Sequence, residues 1–252
     1  MEILPLFKSH YSLGRSILTL EEEGSSMGNG PRSIIDLAKE NDIESPLLVE
    51  DSMGGFLQAY NNFTSSKINF IFGIRITFCP DIKVKDEESL NQSSKYIIFA
   101  KNSSGYKRII KIYSLAAKDG FYYHPRLDFE NLKKLWSNKD LVLGVPFYDS
   151  FIYKNLLTYN ACVPDFSFTD PVFFVEDNNL PFDNLIQQKV TEYCANKFEL
   201  RSAKSIFYEK KEDFKSYLTF RCINNRTTLN RPNLEHMCSD EFSLEGWASQ
   251  NG

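Results

Sequence analysis

Histidine is scarce in this 252-residue chain: only His10, His124 and His236 occur, which excludes a histidine-rich metal centre. The five cysteines (Cys79, Cys162, Cys194, Cys222 and Cys238) are odd in number and never fall as C-x-x-C. Reduced thiols in a cytosolic compartment are therefore expected, not a disulfide framework. No apolar run approaches the ~20 residues of a membrane span. The start, Met1–Lys8, has an early acid and too short an apolar stretch for a signal peptide. Charge of one sign is not in excess either. The balance of 29 basic against 33 acidic residues gives −4, which excludes a strongly basic nucleic-acid coat but leaves room for a local basic patch. Missing too are the phosphate-cradling G-x-x-x-x-G-K-[ST], the dinucleotide G-x-G-x-x-G and the nucleophile elbow G-x-S-x-G.

What is present is an alternation. Short branched or aromatic runs bounded by polar residues occur at Ile3–Phe7, Pro46–Glu50, Asn69–Thr77, Lys95–Ala100, Asp140–Val145, Pro171–Val175 and Leu200–Tyr208. These are the marks of buried strands. Helical spacing appears between them: after Pro31, placed at a first turn, and over Ser103–Lys118, Phe182–Phe198 and Lys211–Asn224. The alternation predicts an α/β fold with a mostly parallel sheet, and seven strands without an obvious edge suit a closed barrel. The 42% hydrophobic content and 29.2 kDa mass suit one domain, expected over residues 1–245 with a tail at 246–252. Residues 21–30 and 81–94 lack periodicity and are expected as mobile surface loops.

Catalytic candidates are few. Glu50 and Asp51 close a predicted strand, and α/β barrels build their sites at the C-terminal ends of strands. The pair could hold a metal, although a solvated loop start is the plainer reading. His10 is a single imidazole without a partner histidine nearby, and His124, in Gly-Phe-Tyr-Tyr-His-Pro-Arg, suits a turn better than a reaction. Lys101, Lys107, Arg108 and Lys111, with Lys118 and interleaved Tyr106 and Tyr113, could meet phosphates. A solvated helix face explains them more simply.

The stretch Tyr96–Asp128 reads Tyr-Ile-Ile-Phe-Ala-Lys-Asn-Ser-Ser-Gly-Tyr-Lys-Arg-Ile-Ile-Lys-Ile-Tyr-Ser-Leu-Ala-Ala-Lys-Asp-Gly-Phe-Tyr-Tyr-His-Pro-Arg-Leu-Asp. It closely resembles the L-A-K-N-x-x-G-Y…G-F-Y-Y-x-P-R-I-D stretch of the PHP (polymerase and histidinol phosphatase) domain, in the form found at the N-terminus of the bacterial DNA polymerase III alpha subunit. Ser9–Leu13 resembles S-D-Y-S-L, Gly55–Tyr60 resembles the G-A-V-E-F-Y helix, and Phe72–Ile76 resembles I-G-C-E-V. Cys222–Leu229 and Ser239–Phe242 resemble the closing C-I-x-T-x-x-T-L and S-D-E-F. The resemblance implies a PHP-like distorted (β/α)7 barrel.

The departures from the family's metal-binding pattern are as informative. The first-strand H-x-H corresponds to Leu6 and Lys8, and T-D-H-G to Val49-Glu50-Asp51-Ser52. The glutamate of G-C-E-V becomes Arg75, and the S-G-C turn becomes Val145-Pro146-Phe147. The late T-N-D-V-H-Y strand becomes Ala203–Tyr208, with Ser205 and Phe207 at its aspartate and histidine positions. Leucine and phenylalanine cannot ligate, and lysine or arginine brings positive charge where cations bind. The vestigial positions are thus Leu6, Lys8, His10, Glu50, Asp51, Arg75, Phe147, Ser205 and Phe207. Lys8 or Arg75, or both, are expected to enter the old metal space and pair with Glu50 or Asp51, with Leu6, Phe147 and Phe207 filling the rest.

By resemblance, the expected role is a catalytically degenerate PHP module of the replication machinery, with no cofactor, docking a polymerase core or an exonuclease subunit in the cytoplasm. DNA contact is a lesser expectation, and a viral origin fits the 20 lysines and 20 asparagines only weakly. One alternative is a metal-dependent phosphoesterase or 3′–5′ exonuclease using Glu50, Asp51 and His10 with zinc or manganese. Another is the N-terminal part of a split or longer DNA polymerase.

Overall fold

The computed structural model describes residues 2–25, 30–230 and 239–251. In chain order its first half comprises β1 (Leu4–Phe7), α1 (Ile34–Glu40), β2 (Leu47–Glu50), α2 (Phe56–Ser65), β3 (Ile71–Phe78), α3 (Glu87–Asn91), β4 (Ser94–Ala100) and α4 (Ser103–Lys118). There follow β5 (Arg126–Leu127), α5 (Phe129–Leu135), β6 (Leu141–Val145), α6 (Phe151–Leu157), β7 (Val172–Val175), α7 (Asp183–Cys194), β8 (Glu199–Ile206), α8 (Phe214–Asn225) and α9 (Leu244–Asn251). All seven strands read from the sequence are present, and the two-residue β5 is added. The fold is the expected α/β barrel in a single domain, closed by seven strands with helices around it.

The chain groups into two compact units. One comprises residues 1–72, 176–183 and 202–252, and the other residues 73–175 and 184–201. In the first unit β1 lies between two parallel neighbours, with Leu6 opposite Leu47 of β2 and opposite Ser205 of β8. Phe7, Leu48, Ile34, Ile35 and Phe63 are buried there. Ser33 caps α1 through its side chain, so Pro31 stands ahead of the cap and not in the first turn.

In the second unit β4 is the centre, and it runs antiparallel to both β3 and β6. This corrects the expectation of a mostly parallel sheet around it. A short, fully buried apolar run looks the same whichever way its neighbours point. Phe99 of β4 needs glycine on both sides. A Cβ on Gly73 would meet its ring at 2.6 Å, and one on Gly144 at 3.0 Å. Helix α4 is capped by Asn102 and buries Gly105, Ile109, Ile112 and Ala116.

Two expected irregular stretches are partly helical. Segment 81–94 contains α3, held by a capping box in which Asp86 and Ser89 satisfy each other's backbone N–H. One apolar side chain in five residues, Leu90, leaves no periodicity to read. The expected tail at 246–252 is helical through Asn251, because Trp247 is buried and its indole Nε1 donates to the Ile3 carbonyl. Of the loop 21–30, residues 26–29 lie outside the described residues, and residues 21–25 are exposed. Cys79, Cys162, Cys194 and Cys222 are free thiols and buried, and Cys238 lies outside the described residues.

Candidate functional site: the strand ends of the first unit

The register of the first unit decides which side chains share a face. Side chains alternate along a strand, and directly paired residues in a sheet point the same way. With Leu6 opposite both Leu47 and Ser205, the face that carries Leu6 and Lys8 also carries Val49 and Asp51 from one side, and Ser205 and Phe207 from the other. Leu6, Lys8, Asp51, Ser205 and Phe207 therefore share one face, and Lys8 reaches Asp51. Its Nζ lies 3.0 Å from Asp51 Oδ1, with the lysine side chain 5% and the aspartate 32% exposed.

Glu50 faces the other way and is fully buried. Its two oxygens are both used: Oε1 accepts from the Ser9 backbone N–H at 2.9 Å and Oε2 from the Ser12 hydroxyl at 2.6 Å. Ser12 Oγ in turn accepts the Asp51 N–H at 2.9 Å. Burial pushes the Glu50 carboxyl above its usual range, against the opposing pull of the Lys8 charge and the hydroxyl and backbone donors of Ser12 and Ser9. His10 sits in the same turn with its backbone N–H on the Leu18 carbonyl. Its Nδ1 is buried without a hydrogen-bond partner among the described residues.

A second polar knot, unread in the sequence, closes the adjacent strand end. Glu176 is buried just after β7 and accepts the Ser205 N–H at 2.8 Å, the Ser205 hydroxyl at 2.9 Å and the Asn178 amide at 3.0 Å. Burial raises its carboxyl as well, opposed by these donors and by Lys204. Lys204 is itself wholly buried, donating to the Asp177 carbonyl at 2.8 Å and lying 3.3 Å from Glu241. Glu241 also takes Lys211, so the S-D-E-F stretch is a charged clasp on β8. Burial acts to raise the Glu241 carboxyl, but Lys211 and Lys204 outweigh it and hold it below the usual range. The only sequence sign of this clasp was the S-D-E-F resemblance. Lys204, read as part of a strand, showed nothing of its role.

In the second unit Arg75 pairs with a carboxylate of that unit, Asp149. Its Nη2 donates to Asp149 Oδ2 at 2.9 Å and to the Tyr148 carbonyl at 3.0 Å. Asp149 lies in the turn between β6 and α6 that also carries Phe147, which is fully buried against Tyr148. A sequence separation of 74 residues hides such a pair. Of the possible phosphate contacts, Lys107 and Lys111 are exposed. Lys101 donates to the Asn138 carbonyl, and Arg108 is held by Asp140 at 2.9 Å.

The Lys8 ammonium is paired with Asp51, both Glu50 oxygens accept protein donors, and the Leu6 and Phe207 side chains carry no ligand atom. Among the described residues no group of three or more His, Cys, Asp or Glu side chains could hold an ion.

The PHP domain model matches residues 26–147, a span that includes Glu50, Asp51, Arg75 and Phe147. Over that span the chain is similar to the PHP domain, and its barrel is of the PHP-like distorted kind. Its curated relatives are DNA polymerase III alpha subunits. That of Aquifex aeolicus is 26% identical over 204 residues, covering 74% of this chain and 17% of its own length. That of Thermus aquaticus is 25% identical over 237 residues, covering 87% of this chain and 19% of its own length. The subunit of Borreliella burgdorferi is 32% identical over 104 residues, 40% of this chain and 9% of that one. The chain thus spans under a fifth of the length of these relatives. No helix among the described residues is long and apolar enough to cross a membrane.

Proposed function

We propose that this chain is a non-catalytic PHP module of the replication machinery, which works by docking a polymerase core or an exonuclease subunit and needs no metal. The observation that carries this reading is the Lys8–Asp51 pair. A fixed ammonium stands where the family's pattern places a ligand, and it neutralises the carboxylate that a cation would otherwise compensate. The hydrogen bonds of Ser9 and Ser12 hold Glu50 in the same rigid turn. Relationship to polymerase III alpha subunits supplies the replication setting, and with it a cytoplasmic location. The short coverage of those relatives is equally compatible with a part of a longer or split polymerase.

Elemental analysis of purified protein tests the proposal. Less than a tenth of an equivalent of zinc, manganese or iron is expected, with no nucleotide release from single-stranded 3′ ends in added manganese. Stoichiometric metal, with nuclease activity lost in Glu50→Ala/Asp51→Ala, would overturn it in favour of a phosphoesterase or exonuclease.

A further inference from the structure

The basic helix of the second unit, set aside in the sequence as a solvated face, carries more structure than that reading allows. Helix α4 contains Lys107, Arg108, Lys111 and Lys118 and no acid in its 16 residues, within a chain whose net charge is −4. Its buried residues, Gly105, Ile109, Ile112 and Ala116, follow the i, i+4, i+7, i+11 spacing of one helix face. Lys107, Lys111, Ser114 and Lys118 repeat that spacing two residues later, on the opposite, exposed face. None of these three lysines has an ion-pair partner among the described residues, in contrast to Arg108 with Asp140. At 1.5 Å per residue the ammonium stems are staged about 6 Å and then about 10 Å apart along a straight line.

Exposed aromatics follow the helix in the chain. Directly after α4, Phe121 is 50% and Tyr123 77% exposed, and Tyr123 packs edge-on against Tyr122 at 4.8 Å. Tyr123 holds φ at +60°, in the left-handed region that a bulky side chain occupies only at a cost. The fully buried Arg126 maintains the turn. Its guanidinium donates to the carbonyls of Gly120 and Val84 and to the Ser89 hydroxyl, and it stacks 5.0 Å from the Tyr122 ring. Burial, followed by the charges of Lys95 and Arg126, holds the neighbouring His124 below its ordinary range. Asp119, exposed beside Lys118, is the acid nearest in sequence to the stripe.

We propose that the Lys107–Lys111–Lys118 stripe of α4 and the exposed rings of Phe121 and Tyr123 form a binding surface for single-stranded nucleic acid. The lysines track successive phosphates and the rigidly presented rings stack on bases. A linear run of cations ending on an aromatic platform is the pattern by which single strands are held without reading their sequence. An anionic bilayer is the less suitable occupant, because the apolar face of α4 is buried inside the protein and cannot insert. The surface is independent of the docking role proposed above, and either can fail without the other.

Fluorescence anisotropy of the full chain with a labelled oligothymidylate of about 20 nucleotides, across a salt series, tests the proposal. Binding is expected to weaken with salt. In Lys107→Ala/Lys111→Ala/Lys118→Ala the log–log salt slope should flatten by about 2, from roughly 0.7 per lost phosphate contact. Tyr123→Gly keeps the left-handed backbone while removing the ring, and should weaken binding roughly 5- to 150-fold. Lys189→Ala, on another helix, should leave it unchanged, and circular dichroism should report native folding in every variant. No binding by the wild-type chain, or a triple variant that binds with the parental slope, would overturn the proposal. So would capture of phosphatidylserine vesicles without any capture of the oligonucleotide.

Discussion

Replacing Lys8 with methionine removes the ammonium while nearly preserving side-chain volume, so it isolates the charge. At 3.0 Å the Lys8–Asp51 attraction is about 5–6 kcal/mol for an effective dielectric constant near 20. Holding the 5%-exposed lysine out of water opposes it by several kcal/mol, so the pair's net value is small. Losing one partner is a different quantity, because it takes the compensating charge away from the other. A fully buried survivor costs about 3–5 kcal/mol. Asp51 keeps 32% of its surface and some hydration, which lowers the expected loss to about 2–3 kcal/mol. Urea unfolding followed by circular dichroism should show this loss in Lys8→Met as a lower midpoint with an unchanged slope. Lys8→Met/Asp51→Asn, which removes both charges, should recover at least half of it. A Lys8→Met protein within about 0.5 kcal/mol of the parent would refute the pairing, since that is the range of surface substitutions.

The remaining predictions concern the other buried charges. Arg75→Met should cost only about 1–2 kcal/mol, because Asp149 retains Lys154 at 3.7 Å, and a loss above about 4 kcal/mol would contradict that arrangement. Glu50 and Glu176 both have carboxyls raised by burial, so the folded chain binds more protons than the unfolded one above pH ~4.3. Their contribution to stability therefore falls as pH rises from that value through the raised values. Glu176→Gln should flatten this decline in urea melts taken at successive pH values, and parallel curves for the two proteins would show that Glu176 does not titrate there.

Much of this protein was written in its local sequence. Seven strands and α4 were legible because burial imposes short apolar runs and a 3.6-residue period, both of which are properties of contiguous residues. The likeness to the PHP domain was legible the same way, from ordered motifs such as the Tyr96–Asp128 stretch. The Lys8–Asp51 partnership was legible as one option, since strand alternation limits which residues share a face. Strand direction around β4 was not, because a buried run carries no mark of its neighbours' polarity. Nor could the sequence join Arg75 to Asp149, Glu176 to Ser205 or Lys204 to Glu241, residues 74, 29 and 37 positions apart. Each pair exists because desolvated charges and donors must find partners, and which partner is within reach is settled only when the chain has closed. The tertiary structure likewise turned four scattered cations of α4 into one engaged arginine and three lysines in a line with no ion-pair partner among the described residues. Periodicity had placed them on a helix, but only the packing of its opposite face showed which of them were left to solvent.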